Sequence, residues 1–289
     1  MKAKPARALA FCCILACLCA ALPAQPVETQ TAVREYNFPG KYEGKSAQGL
    51  AIFQEIALLF NDEGHCRVYN LETKKKLVEF DLASAAGDNH ANSASFGVEQ
   101  TKGAFFPAVY VSECRGQRRC FVESITPDGP RLVQTLQIKT GGTEERSFDW
   151  VVDRENKFIY SLAGFKKDAQ QHVQVTKWPL PSLAQGKKIT FKKSDILAQF
   201  SVSFPNLTQG ACVRGGYLYM PVGLHDVEEG TPEFRSRQII VINLQTQKIE
   251  KKIDINASCP HEPEDCDFHG DTMLLYCGQR GGLWRIPGV

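Results

Sequence analysis

From Val33 onward, apolar and polar positions alternate in short runs, the period-two signature of half-buried β-strands. Two such runs are near copies. Val68-Tyr69-Asn70-Leu71-Glu72-Thr73 leads into an apolar strand over 77–82, and Val241-Ile242-Asn243-Leu244-Gln245-Thr246 leads into one over 249–255. Turn chemistry separates the runs at Asn61-Asp62-Glu63-Gly64, Pro127-Asp128-Gly129-Pro130, Asp153-Arg154-Glu155-Asn156, Gly215-Gly216 and Gly281-Gly282. One stretch reads differently: Ser194–Phe200 predicts a turn or two of helix, capped by Ser194 or Asp195. Many short strands with regular turns indicate an all-β sandwich, barrel or propeller.

The repeat selects among these. Upstream of each copy stands a Gln-Gly pair opening an apolar run, Gln48-Gly49-Leu50-Ala51-Ile52 and Gln209-Gly210-Ala211-Cys212-Val213. Comparable openings fall at Asn92, Asp149 and Glu264, giving gaps of 44, 57, 60 and 55 residues along the series. A four-stranded propeller blade takes about 40–50 residues, so each gap suits one blade with loop insertions. Only 26 residues follow from Glu264 to Val289, too few for a fifth blade, and Val33–Phe38 predicts the missing outer strand. Tying the two ends of the chain together this way leaves fewer open sheet edges. The expected architecture is all-β, a single five-bladed β-propeller over residues 25–289; six or seven blades, or a sandwich, are the alternatives.

Charge and cysteine content narrow the setting. Lys2, Lys4 and Arg7 followed by apolar residues 8–22 predict a signal peptide over residues 1–24, hence a secreted or periplasmic protein; lipid attachment at Cys17 is the alternative. The apolar stretch is too short to span a bilayer, and no second one is longer. Without the leader, 31 basic residues face 32 acidic ones, a balance that excludes the electrostatic footprint of a nucleic-acid binder. The lysine clusters at 74–76, 187–188 and 192–193 are short and read as solvated. Seven of the eleven cysteines lie beyond the leader, where an oxidising compartment permits disulfides. The expected pairs are Cys114–Cys120, across a hairpin, and then Cys259–Cys266. The absence of any Cys-x-x-Cys among the seven argues against zinc. The three tryptophans, 150, 178 and 284, are expected to pack between blades.

In a propeller the innermost strands begin around one mouth of a central channel. That places Gln48, Asn92, Asp149, Gln209 and Glu264 in a ring, with His90 and Glu262 close by in sequence. Such a ring suits a metal ion, a sugar or a cluster of ordered waters satisfying backbone groups. The segment His261-Glu262-Pro263-Glu264-Asp265-Cys266-Asp267-Phe268-His269-Gly270-Asp271 is the densest in candidate ligands, and oxygen donors favour a hard cation such as calcium. Strand alternation predicts that Glu262, Glu264 and Cys266 do not share a face with His261, Asp265 and Asp267. A further loop over 223–231, with His225 and Asp226, reads as a solvated acidic insertion. The charged Gly-rich loop 141–146 lacks phosphate-cradle spacing.

Glu262-Pro263-Glu264-Asp265, with Gly282-Leu283-Trp284 beyond it, resembles the Glu-Pro-Glu-Gly blade opening of secreted propellers. These include the gluconolactonase/regucalcin-like, phytase-like and strictosidine-synthase-like groups. The Val-x-Asn-Leu-x-Thr strands are similar to the Val-x-Asp-Leu-x-Thr-Gly-Lys strands of bacterial propeller repeats. The resemblance implies a divalent cation such as calcium at the mouth, held by Asn92, Asp149 and Glu264. The chain departs from the pattern where Asp265 replaces the glycine and where two ring positions are glutamine.

No Gly-x-Ser-x-Gly is present and no complete catalytic set can be assembled. The leading expectation is therefore an exported binding protein whose channel mouth holds a small ligand: a glycan, a peptide or a metal. The alternatives are a metal-dependent hydrolase of lactonase type and a scaffold that docks a protein partner.

Overall fold

The computed structural model describes residues 27–39, 43–85, 89–114, 118–138, 147–167, 170–204, 208–224, 235–278 and 281–289. The leader expected over 1–24, with Cys17, the loop 141–146 and all but the first two residues of the 223–231 loop lie outside them. Two short strands come first, β1 (Val27–Thr29) and β2 (Val33–Tyr36). Blade 1 is β3 (Ala47–Phe53), β4 (Ile56–Asn61), β5 (His65–Asn70) and β6 (Lys75–Asp81). Blade 2 is β7 (Ala94–Phe96), β8 (Val109–Ser112), β9 (Cys120–Thr126) and β10 (Gly129–Ile138). Blade 3 holds β11 (Ser147–Asp153), β12 (Phe158–Lys167), β13 (Gln170–Pro179) and β15 (Ala198–Ser203), with β14 (Lys188–Phe191) leaving it. Blade 4 is β16 (Cys212–Arg214), β17 (Tyr217–Val222), β18 (Gln238–Asn243) and β19 (Lys248–Asp254). Blade 5 is β20 (Pro263–His269), β21 (Thr272–Cys277) and β22 (Leu283–Ile286).

The last blade is completed as the sequence predicts: β2 pairs antiparallel with β22, giving the order β2-β22-β21-β20. Five apolar clusters are the five seams of a closed ring. Leu274, Tyr276 and Leu283 of blade 5 pack on Leu50, Ile52 and Leu59 of blade 1. Ala51 and Leu58, neighbours of these on the same strands, face Phe96 and Val109 of blade 2. The alternation read along the chain is thus the alternation between one neighbouring blade and the other. Trp150 and Trp178 fill the seam between blades 2 and 3, and Trp284 that between blades 4 and 5, as expected.

The repeated Asn-Leu-x-Thr closes the same turn twice. Asn70 Oδ1 accepts from the Thr73 amide, and Asn243 Oδ1 accepts from the amides of Gln245 and Thr246. The residue after each threonine, Lys74 or Gln247, takes the left-handed conformation, φ +56° and +61°.

Three features depart from the sequence reading. The helix expected over Ser194–Phe200 is one 3₁₀ turn, Lys193–Asp195, followed by β15, because the alternating Ala198–Ser203 pairs with β13. Before that, the chain crosses back so that β14 pairs parallel with β10 of blade 2. At the other end β1 adds a parallel fifth strand to blade 4. Among the described residues, no helix is long and apolar enough to cross a membrane.

Candidate functional site

The glycine of each Gln-Gly pair is set by how closely the blades approach the axis. Gly49 N–H donates to Ala91 O at 2.8 Å, and a Cβ there would lie 2.7 Å from that oxygen. Gly210 N–H donates to Glu264 O at 2.7 Å, and its Cβ would meet Asn92 O at 2.8 Å and run into Asp265 Oδ1. Only a residue without a side chain lets the inner strands converge this tightly. Gln48 and Gln209 are the buried polar residues just ahead of these contacts.

In blade 5 a register shift between Pro263 and Asp265 marks a bulge at Glu264. The bulge overrides the strict alternation expected here, and Glu264 and Asp265 are both buried. Asp265 Oδ2 accepts from the amides of Leu50 and Ala94, at 2.8 and 3.0 Å, while Oδ1 accepts from Cys266 N at 2.9 Å. One carboxylate so joins blades 5, 1 and 2. Two residues on, Asp267 Oδ2 accepts from Ile52 N at 2.6 Å. Ser93 Oγ lies 3.4 Å from both the N and the O of Ala211, linking blade 2 to blade 4.

Around the rim the predicted residues associate in pairs. Asn92 Nδ2 donates to Asp149 Oδ2 at 3.0 Å. Gln209 Nε2 donates to Glu262 Oε1 at 2.9 Å and to Gly223 O at 3.3 Å. His90 Nδ1 stands 2.7 Å from Asp62 Oδ1, and Asp62 also accepts from Ser46 N. No hydrogen bond joins the Glu264 carboxylate to Asn92 or Asp149, and among the described residues no three His, Cys, Asp or Glu groups stand together as a metal site.

Electrostatics at the rim favour protonation or a donor. Burial pushes the Glu264 carboxyl well above its usual range, and the charges of Glu262, Asp62 and Asp265 push it further. Burial raises Asp149 to about 7 against the pull of the Asn92 amide. Asp265 is also raised well above its usual range by burial, although its three backbone donors pull the other way. Gln48 Oε1 and Asp149 Oδ1 are buried with no hydrogen-bond partner, as are both side-chain heteroatoms of Asn89.

Sequence reasoning missed Asp62 and took in Asp265 only as one member of the ligand-rich segment 261–271. Asp62 sits in a segment that reads only as a turn, while Asp265 was visible as the departure from Glu-Pro-Glu-Gly. Gly278 was also missed: a Cβ there would collide with Glu264 Oε1. At the opposite end of the inner strands Arg154, Glu155, Val213, Arg214, Asp267 and Phe268 line a cleft of 410 Å³. Its two arginines are already engaged, Arg214 with Asp271 and Phe268 and Arg154 over Phe53. We therefore place the candidate site at the Glu264 rim, where buried acceptors lack donors.

Fold and rim together define a five-bladed β-propeller with an acceptor-rich mouth. No family model and no curated protein matches the chain. Among solved structures, the glutaminyl cyclase of Myxococcus xanthus is similar over 90% of this chain and 96% of its own, at 13% identity and a TM-score of 0.49. Similarity to the gluconolactonase/regucalcin-like or phytase-like propellers is not shown, and nothing about the chemistry of this chain follows from the likeness.

Proposed function

We propose that the protein is a binding protein whose mouth takes a small ligand rich in hydrogen-bond donors, such as a glycan or the amino end of a peptide. The observation that carries this reading is a set of acceptors on three different blades with no donor supplied by the described residues. Gln48 Oε1 and Asp149 Oδ1 are buried and unpartnered, and the Glu264 carboxylate sits among like charges. A buried acceptor without a donor costs about 1–3 kcal/mol, which a ligand N–H or O–H recovers on binding.

A calcium ion held by Asn92, Asp149 and Glu264 is the second reading, favoured by the all-oxygen character of the free acceptors. It ranks lower because Asn92 and Asp149 already engage each other and no preassembled acidic cluster is present. The lactonase-type hydrolase depends on that metal and gains no separate support, nor does the protein scaffold.

Calorimetric titration with panels of sugars, short peptides and calcium tests the reading. The expected result is saturable binding of one organic class, weakened at least tenfold by Glu264→Gln. Binding of calcium alone would replace it with the second reading. Silence across all three panels, with the folded state verified, would overturn both.

A further inference from the structure

All seven cysteines beyond the leader are buried and outside any disulfide, but they are not evenly spread. Cys212, Cys259, Cys266 and Cys277 share one apolar cluster, the seam between blades 4 and 5. Within it Cys212 Sγ lies 3.4 Å from Cys266 Sγ, and Cys259 Sγ lies 3.6 Å from Cys277 Sγ. The pairs anticipated from sequence are not the ones in contact. The β8–β9 register sets Ser112, not Cys114, opposite Cys120. On β20, Cys266 faces blade 4 and so meets Cys212, leaving Cys259 to Cys277.

We propose that Cys212–Cys266 and Cys259–Cys277 are the two disulfides of the oxidised protein, the first stapling blade 4 to blade 5 and the second anchoring the rim. A disulfide needs its sulfurs about 2.05 Å apart, so each pair has roughly 1.5 Å to close, which side-chain rotation supplies. The positions give each bond a distinct effect. Cys212 and Cys266 are on the innermost strands of neighbouring blades, Cys266 in the blade that β2 completes. A bond there holds the ring shut at the seam next to the joined chain ends. Cys259 lies just before Glu262, and Cys277 immediately before Gly278, whose backbone packs against Glu264. A bond there fixes the segment carrying both rim glutamates.

The chemistry is thiol–disulfide exchange with a small or protein disulfide as oxidant. In the second pair the Cys259 thiolate, having lost its proton to solvent, bonds to one oxidant sulfur and expels the other. Cys277, deprotonated in turn, displaces the remaining oxidant sulfur. Two protein thiols and one oxidant disulfide become one protein disulfide and two oxidant thiols. Because the four sulfurs are buried in the folded ring, exchange takes place while the chain is still folding.

The test is to export the full chain into an oxidising compartment, unfold it in an alkylating agent without reductant, and map the product by mass spectrometry. The expected result is alkylation of Cys66, Cys114 and Cys120 only, with digest peptides joined 212 to 266 and 259 to 277. Prior reduction should raise the count to seven. Cys266→Ala should expose Cys212 to the reagent, and Cys277→Ala should expose Cys259. Seven alkylated cysteines without reductant would overturn the proposal, as would a 114–120 or 259–266 linkage. A single expected linkage would remove the other. The wild-type map is decisive even if a variant fails to fold.

Discussion

Asp149 is the group whose titration can be followed most directly from structure to measurement. Its carboxyl is buried, one oxygen accepts from Asn92 and the other has no partner, and burial lifts its pKa from 3.8 to about 7. Between those values the folded state keeps a proton that the unfolded chain releases. The folded state then binds more protons, so stability falls as pH rises across that window and levels off above it. At about 1.4 kcal/mol per pKa unit, the full descent attributable to this group is about 4 kcal/mol. Asp267, raised to about 6 by burial, adds a decline of the same sign, so the wild-type curve alone does not isolate Asp149. The isolating perturbation is Asp149→Asn, which cannot ionise yet keeps an oxygen for the Asn92 amide. Urea unfolding of both proteins from pH 4 to 8 should give similar stabilities at the acid end. The variant should then gain progressively, up to about 4 kcal/mol at pH 8, with other titrations cancelling in the difference. A difference that stays constant with pH would refute the burial argument. A difference that grows toward acid would show that the native site prefers the ionised carboxylate.

Other substitutions probe the axis. Asp265→Ala strands the amides of Leu50, Ala94 and Cys266 and should cost about 3 kcal/mol or more in chemical unfolding; Asp265→Asn, which keeps an acceptor, should cost less. Gly210→Ala drives a methyl into Asp265 and the Asn92 carbonyl and should lose about 1–3 kcal/mol from overpacking. Gly270→Ala is its control, because φ is +57° there but nothing lies within 4 Å of the added carbon. Its loss should stay near 1 kcal/mol, the conformational cost alone.

Much of the scaffold was legible because its devices are local. Asn70 and Asn243 cap the same turn with their own side chains, so the motif survives as text wherever the turn recurs. The five openings near Gln48, Asn92, Asp149, Gln209 and Glu264 all fall at or just before innermost strands, and Val33–Tyr36 closes blade 5. Segments that dock on a foreign blade were not legible. Lys188–Phe191 pairs with β10 and Val27–Thr29 with β19 in parallel, and no local turn announces such pairing. Strand 198–203 was obscured by the capping residues beside it: the N-cap is Lys192, and Asp195, the last residue of one 3₁₀ turn, only reaches back to the Lys192 amide.

The candidate ring was legible as a list of blade positions, and the partners of its residues were not, for a physical reason. Polar residues at equivalent blade positions acquire partners that depend on distances across the axis. Gln209 is paired with Glu262 and His90 with Asp62, whereas Gln48 and Asp149 each retain a buried acceptor with no donor. Spacing along the chain treats these residues alike; only the ring distinguishes the satisfied from the unsatisfied. The same holds at Glu264, where one bulge sets aside the alternation that should have separated it from Asp265. The cysteines obey the same logic, since nearness in sequence favours 114 with 120 whereas the blade seam brings together 212 with 266. On the proposed function, what a ligand would recognise is what the closing of the ring leaves without a partner.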